Sequence, residues 1–100
     1  MLRSAAARVL DADDELAVRE LLDTDPVGAC MLAGRIETHG TATSTLGAPL
    51  WGLSTGGRLD AVCLAGANLI PFARPGAERA AAAAFADRAR RAVAGLDPRR

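Results

Sequence analysis

The sequence predicts an α+β fold in which a small, mainly antiparallel sheet of about four strands is flanked by helices. Two apolar runs, Leu50–Ser54 and Leu59–Ala65, surround a Thr-Gly-Gly-Arg turn. Glycine pairs between such runs are typical of β-hairpins, because glycine adopts positive φ without steric cost. A third short run, Asn68–Phe72, predicts another strand, and the alanine-rich segment from Ala77 to about Ala94 predicts a long helix.

Length and composition predict one small domain that covers residues 1–100 and has a modest core. Half of the residues are hydrophobic, which argues against disorder. Only Trp51, Phe72 and Phe85 are aromatic, so the core must consist mainly of aliphatic side chains. Twelve arginines balance twelve acidic residues. This neutral balance gives no general attraction to nucleic acid or to an anionic membrane, and we expect neither as a partner.

The N-terminal part predicts a short strand and a helix. Ala7–Leu10 is the candidate strand, and the acidic run Asp11–Glu15 that follows is typical of a helix N-terminus, where carboxylates cap free N–H groups. The predicted helix ends near Thr24. Its apolar residues recur at spacings of three and four and are expected to face the core, namely Val18, Leu21 and Leu22.

A second helix is predicted to begin at Asp25-Pro26, with aspartate as N-cap and proline at the first helical position. Gly40 is its expected C-terminal residue. Its apolar positions form one stripe of Val27, Met31 and Gly34 with Cys30 beside it, and a second edge of Leu32 and Ile36. The polar segment Gly40–Pro49 is predicted to be a mobile surface loop. The predicted order is therefore β-α-α-β-β-β-α, and Gly95 and Pro98 are expected to end the last helix.

Cys30 and Cys63 both occur in apolar surroundings and are expected to be buried, reduced and separate from each other. The first seven residues are too few for the apolar region of a signal peptide. No apolar run approaches the roughly 20 residues that span a bilayer. These features together favour a cytoplasmic location.

Three stretches resemble the first half of a GNAT family N-acetyltransferase domain. More narrowly, they resemble the N-terminal GNAT-like domain that precedes the catalytic domain in certain high-GC bacterial GNAT family N-acetyltransferases. Two stretches of lower specificity are Val9–Leu22 and Asp25–Glu37. The more specific third stretch comprises residues 50–52 (LWG), 57–59 (GRL) and 64–71 (LAGANLIP).

The resemblance implies an acetyl-CoA-dependent acyltransferase in which the cofactor pantetheine follows the fourth strand. Its pyrophosphate would contact backbone N–H groups at the start of the next helix, since helix N-termini attract anions. On this chain the resemblance assigns cofactor binding to Arg74, Gly76 and Ala77. The chain has one residue fewer between the arginine and the glycine than the family motif, and Pro75 removes one N–H. We therefore expect that the chain alone does not bind acetyl-CoA appreciably, and no catalytic residue is assigned.

A full GNAT domain has a further strand and a general acid after these elements, so the resemblance implies a piece of a longer acetyltransferase. The implied role is structural or substrate-shaping, with acyl transfer in a following catalytic domain. The alternative is a non-enzymatic interaction module that self-associates through the open edge of its sheet. The partner is then either the following domain or a second copy of the chain.

Other residues have a structural and a functional interpretation that the sequence leaves open. His39 is either a helix C-terminal cation or a general base, and Cys63 is either a core residue or a nucleophile. Trp51 either covers the core or lines a cleft. Asn68 contacts either backbone or a ligand. The cluster of arginines at positions 88, 90 and 91 is expected to be solvated.

Overall fold

The computed structural model describes residues 6–95, which fold as an antiparallel four-stranded sheet with helices on both faces. The strands lie in the order of the chain: β1 (Arg8–Val9), β2 (Leu50–Thr55), β3 (Arg58–Ala65) and β4 (Leu69–Ala73). The helices are α1 (Glu15–Leu22), α2 (Cys30–His39), α3 (Thr43–Leu46) and α4 (Glu78–Gly95), with a 3-10 turn at Ala12–Asp14 before α1. The predicted α+β class and the antiparallel sheet are confirmed.

The first face of the sheet packs against the N-terminal helices. Within α1 the predicted inner residues are all buried, and Asp11 forms a capping box with Asp14 ahead of the helix. Burial of these side chains removes apolar surface from water, which is the main stabilising term for so small a domain. The core on this face comprises Leu10, Val18, Leu21, Leu22, Ala29, Leu32, Ile36, Leu46, Leu50, Leu59, Val62 and Leu64.

The second face packs against α4 and contains a smaller core. Trp51 is 5% exposed. Of the two alternatives for this residue, the one in which it covers the core is therefore confirmed. The remaining members are Ala7, Leu53, Ala61, Cys63, Ala81 and Phe85. The guanidinium carbon of Arg88 lies 5.9 Å from the centre of the Trp51 ring, a cation–π contact. The prediction that Arg88 is simply solvated is therefore wrong, because a long side chain on α4 reaches across the indole.

The β2–β3 hairpin confirms the predicted Gly-Gly turn, since Gly56 and Gly57 have φ of 59° and 83°. The pairing register then shifts: Leu53 is opposite Ala61, whereas Ser54 is opposite Leu59. The extra residue of this β-bulge is Asp60. A bulge breaks the two-residue alternation, so Leu59 joins the core of the first face while Ala61 and Cys63 join the second.

The predicted start of the second helix at Asp25-Pro26 is wrong, because α2 begins at Cys30. The Asp25 side chain accepts a hydrogen bond from Gly28 N at 3.2 Å, and Ala29 N donates to Asp25 O at 3.0 Å. These bonds close an irregular turn, which glycine and a side-chain acceptor favour over a helix.

The side chains that were expected to form an apolar stripe on the second helix lie in solvent, and Val27 lies in the turn before α2. Val27 is 85% exposed and Met31 is 73% exposed, and Cys30 is also exposed. The prediction that Cys30 is buried is therefore wrong. The second apolar edge is the true inner face, since Leu32 and Ile36 are both buried. Leu32 and Ile36 pack into the core together with residues of α1 and α3, which leaves the other stripe in solvent.

The segment Gly40–Pro49, predicted to be a mobile loop, contains the one-turn helix α3. Leu46 from α3 is buried in the core of the first face. Thr41 is fully buried, and its hydroxyl donates to the carbonyl of Asp11. These two anchors tie the segment to the sheet and to the start of the first helical turn.

Helix α4 begins one residue after the predicted Ala77 and extends to Gly95. Ala81 and Phe85 are buried and Ala89 is half-buried, whereas Ala92 is exposed. The helix has left the sheet by that point. The predicted stop at Pro98 lies outside the described residues. In the part of the chain from residue 6 to residue 95, no helix is long and apolar enough to cross a membrane.

Candidate functional site

The junction between β4 and α4 contains the three residues to which the resemblance assigns cofactor binding. Arg74, Gly76 and Ala77 follow each other across the turn that connects the edge strand with the helix. Gly76 has a φ of 94°, and Ala77 N donates to Arg74 O at 2.8 Å, so the turn is tight. The three residues therefore lie in the turn that precedes the N-terminus of α4.

The guanidinium of Arg74 turns back toward strand β3. Its Nη2 donates to the carbonyl of Leu59 at 2.9 Å, and its Nε lies 3.4 Å from Oδ1 of Asp60. The Nε–Oδ1 contact is an ion pair that is not aligned for a hydrogen bond, and this nitrogen is buried. The side chain of Arg74 is only 23% exposed. The arginine that was expected to bind an anion is thus committed to a carboxylate of the chain itself.

Asp60 is the bulged residue of β3 and is buried, whereas the side chains of its charge partners Arg74 and Arg58 are 23% and 65% exposed. Its Oδ1 accepts from Arg58 Nε at 2.9 Å. Burial raises the pKa of Asp60, but a hydrogen bond from the Thr55 side chain and the positive charges of Arg58 and Arg74 outweigh this effect. The pKa therefore lies below its usual value. A buried carboxylate that stays ionised fixes the position of both arginines.

The N-terminus of α4 carries its own carboxylate. Oε1 of Glu78 accepts a hydrogen bond from Gly76 N at 2.9 Å. Together with the bond from Ala77 N to Arg74 O, this occupies two backbone donors of the turn, and Pro75 has none to offer. The negative charge of Glu78 also repels an incoming phosphate. The local geometry accordingly disfavours a pyrophosphate at this position.

The open edge of β4 is the second element of the site. The backbone N–H of Arg74 donates to the carbonyl of Asp60 at 2.8 Å, so these two residues form a hydrogen-bonded pair. The next pair of the antiparallel ladder, Ala61–Ala73, is then a non-hydrogen-bonded pair. Because hydrogen-bonded and non-hydrogen-bonded pairs alternate, the backbone groups of Leu69, Pro71 and Ala73 point away from β3. No strand among residues 6–95 pairs with this edge.

Between β4 and α4 lies an apolar groove of about 420 Å³. Cys63 contributes to its wall from β3, and burial raises the pKa of this thiol, opposed in part by a hydrogen bond with the Ile70 backbone. A buried, protonated thiol is a poor nucleophile. This groove was not predicted from the sequence. A signal for it exists in the alternation of Leu69, Pro71 and Ala73, which places three apolar residues on one side of the edge strand.

The other candidate residues do not join the site. His39 is exposed in the last turn of α2, and Asn68 is exposed in the bend before β4. Arg90 and Arg91 pair with Asp87 on the solvent side of α4, at 3.6 and 3.0 Å. No group of three or more potential metal ligands occurs within the described range 6–95.

A family model described as a domain of unknown function (DUF4081) matches residues 48–96. The match thus covers the described strands β2, β3 and β4 and helix α4, which together build the hairpin, the open edge and the groove. That description assigns no activity. No curated protein and no solved structure matches the chain.

Proposed function

We propose that this chain is the N-terminal GNAT-like domain of an acetyl-CoA-dependent GNAT family N-acetyltransferase. Its role is structural or substrate-shaping, and a following domain performs the acyl transfer. The reaction would be attack of an amine nitrogen on the thioester carbonyl, with release of coenzyme A. A cytoplasmic location belongs to the same proposal, because the free thiols Cys30 and Cys63 suit a reducing compartment.

The observation that carries the proposal is the antiparallel order β2–β3–β4, whose last strand leads into α4. In the family that the sequence resembles, this is the arrangement against which the cofactor lies. The strand β4 is at the edge of the sheet and turns three sets of backbone groups outward. An additional strand or an extended ligand has unpaired donors and acceptors available there.

A supporting role fits the contacts of the turn better than a catalytic one. Arg74 is paired with Asp60, and Glu78 caps Gly76 N. The sequence contains no tyrosine that could act as a general acid. The exposed His39 lies on α2, an element that is not part of the β4–α4 junction. Of the charged groups at this junction, Arg74 is held by Asp60 and Glu78 by Gly76 N, so neither is free to transfer a proton to the departing thiolate.

The second candidate function is a non-enzymatic module that self-associates through β4. The absence of charge along Leu69–Ala73 favours it, since charged residues are the usual guard of an edge strand. Pro71 disfavours self-association, because the N–H that proline lacks would lie on the outward side of the strand. This geometry shortens any ladder that two copies could form.

The decisive experiment begins with the reading frame downstream of Arg100. The protein encoded by an extended frame is expressed beside residues 1–100, and both are assayed for release of coenzyme A from acetyl-CoA with a panel of amines. We expect turnover from the extended protein and none from residues 1–100. A stop codon directly after Arg100, combined with a concentration-dependent dimer, would refute the acetyltransferase proposal and support the interaction module.

A further inference from the structure

The apolar groove between β4 and α4 has the size and composition of a site for a small ligand. Its volume of about 420 Å³ falls within the roughly 300–1,000 Å³ of ligand pockets. The wall from β4 consists of Leu69, Pro71, Phe72 and Ala73. The opposite wall consists of Ala81, Ala82, Phe85 and Ala86 from α4, with Cys63 from β3 and Glu78 at the helix start.

The charge among the residues that line the groove is negative. Among the residues that line it, Glu78 is the one charged group. Its Oε1 is held by Gly76 N at 2.9 Å, which keeps the carboxylate at the start of α4. An anionic ligand would be repelled by this carboxylate, whereas a cation gains an ion pair in partly apolar surroundings.

The outward backbone groups of β4 also favour a cationic ligand. Of the three residues that turn their backbone groups away from β3, all offer a carbonyl, but Pro71 has no N–H. The open edge therefore presents three acceptors and two donors. A primary ammonium group has three donors and no acceptor, so it complements an edge that is rich in carbonyl oxygens.

We propose that this groove binds a small organic cation that has an apolar body and a primary ammonium group. The body lies against Leu69, Pro71 and Phe85, and the ammonium contacts the Glu78 carboxylate and carbonyl oxygens of the β4 edge. This inference concerns residues 1–100 with the β4 edge uncovered, and it does not depend on acyl transfer.

The test uses 2-phenylethylammonium as the probe, with 2-phenylethanol and phenylacetate as neutral and anionic counterparts of similar shape. Each is titrated into the full chain while methyl NMR signals are followed. We expect shifts at the methyl groups of Leu69, Ala82 and Ala86, with a dissociation constant on the order of 1 mM for the ammonium. The ammonium should bind about threefold more tightly than the alcohol, as expected for a solvent-accessible ion pair, and phenylacetate most weakly.

Three variants separate the contributions. Glu78→Gln should remove the advantage of the ammonium over the alcohol, while Ala82→Leu should fill the groove and abolish binding of both. Ala82 is exposed, so that variant is expected to fold, and its NMR spectrum checks this directly. Glu37→Gln changes an exposed carboxylate on α2 and should have no effect.

The proposal is overturned by any of four results. These are methyl shifts that map away from the groove, equal affinity for the three probes, an ammonium preference that survives Glu78→Gln, and absence of binding at ten times the expected dissociation constant.

Discussion

Arg74 connects the end of the edge strand β4 with the bulge of β3, where its Nε lies 3.4 Å from Oδ1 of Asp60. The same guanidinium donates to the carbonyl of Leu59 at 2.9 Å. A bulge leaves nearby carbonyl groups without their regular ladder partners, and the arginine donates to one of them while its charge offsets that of Asp60. This contact fixes the turn that leads into α4 and withdraws the arginine from anion binding.

Asp60→Asn is expected to reduce the free energy of unfolding at pH 7 by about 1–3 kcal/mol, since it leaves Arg74 partly buried without a countercharge. The folded pKa of Asp60 is lowered, so its contribution is present above the unfolded pKa of about 3.9 and is lost as pH falls through the folded value. Urea unfolding from pH 7 to pH 3 measures the difference between wild type and variant.

That difference should shrink below about pH 4. The pKa of Asp14 is also lowered, chiefly by its hydrogen bond with Arg8, so its stabilising contribution is lost at low pH as well. This loss is common to wild type and variant and does not change the difference between them. Asp23→Asn is the control, because Asp23 is exposed and forms no ion pair within residues 6–95. A deficit for Asp60→Asn that stayed constant down to pH 3 would contradict an electrostatic origin.

Gly52→Ala is expected to destabilise the chain by about 1–3 kcal/mol through overpacking. A Cβ at this position would lie 2.6 Å from Cδ2 of Leu10, a core side chain that is 1% exposed and has little room to move. Gly34→Ala is the matched control. It lies on the exposed side of α2 with no atom within 4 Å, and it should stabilise the helix by about 0.5–1 kcal/mol. Thermal unfolding that ranks the two variants in the opposite order would contradict this packing.

The two thiols should differ in reactivity. Cys30 is exposed, whereas Cys63 is 1% exposed and its pKa is raised by burial. In native conditions at pH 7.5 we expect rapid alkylation of one thiol, and of two after denaturation. Mass spectrometry with peptide mapping identifies the modified residue. Equal rates in the folded chain, or an unmodified mass two protons light, would contradict two separate thiols.

Pro71→Val is expected to increase self-association through β4, because it restores an N–H on the outward side of an uncharged edge. Pro71→Lys restores the same N–H but adds a charge that disfavours pairing of the edge with another strand. Sedimentation velocity over a range of concentrations should therefore give more dimer for Pro71→Val than for Pro71→Lys.

For the wild type we expect a homodimer, or docking onto a following domain, through the same edge, with Ile70→Lys as the comparison variant. Equal sedimentation of the valine and lysine variants would show that the β4 edge is not the contact. A wild type that stays monomeric at high concentration would show that this edge is already covered.

Residues 1–100 are expected to bind acetyl-CoA no better than about 1 mM, equivalent to roughly −4 kcal/mol. Arg74 is paired with Asp60, and the Glu78 carboxylate occupies the backbone donor of Gly76. Isothermal titration calorimetry measures this affinity. A clean micromolar isotherm that Arg74→Ala abolishes would contradict the prediction and reassign the turn as a working cofactor site.

The elements that the sequence predicted correctly are those whose signals are local. The Gly56-Gly57 turn, the buried face of α1 and the long helix α4 depend on φ preferences, short-range periodicity and helix propensity. Each of these acts within a few residues of the chain. The α+β class followed from them, because a hairpin and an amphipathic helix have few ways to bury their apolar faces together.

Tertiary contacts decided the features that the sequence analysis missed or misplaced. Strict period-two alternation would put Leu59 on the same face of β3 as Cys63, but the bulge at Asp60 moves it to the opposite face. Local apolar spacing placed Cys30 in the core, but α2 packs through Leu32 and Ile36 and leaves Cys30 in solvent.

The physical reason is the same in each case. The amino-acid sequence by itself determined which segments are strand, turn and helix, because those preferences are properties of single residues and near neighbours. The tertiary structure alone decided the register of β2 against β3, the pairing of Arg74 with Asp60 and the groove beside β4. These depend on atoms that are distant along the chain and meet only when the sheet and α4 pack together.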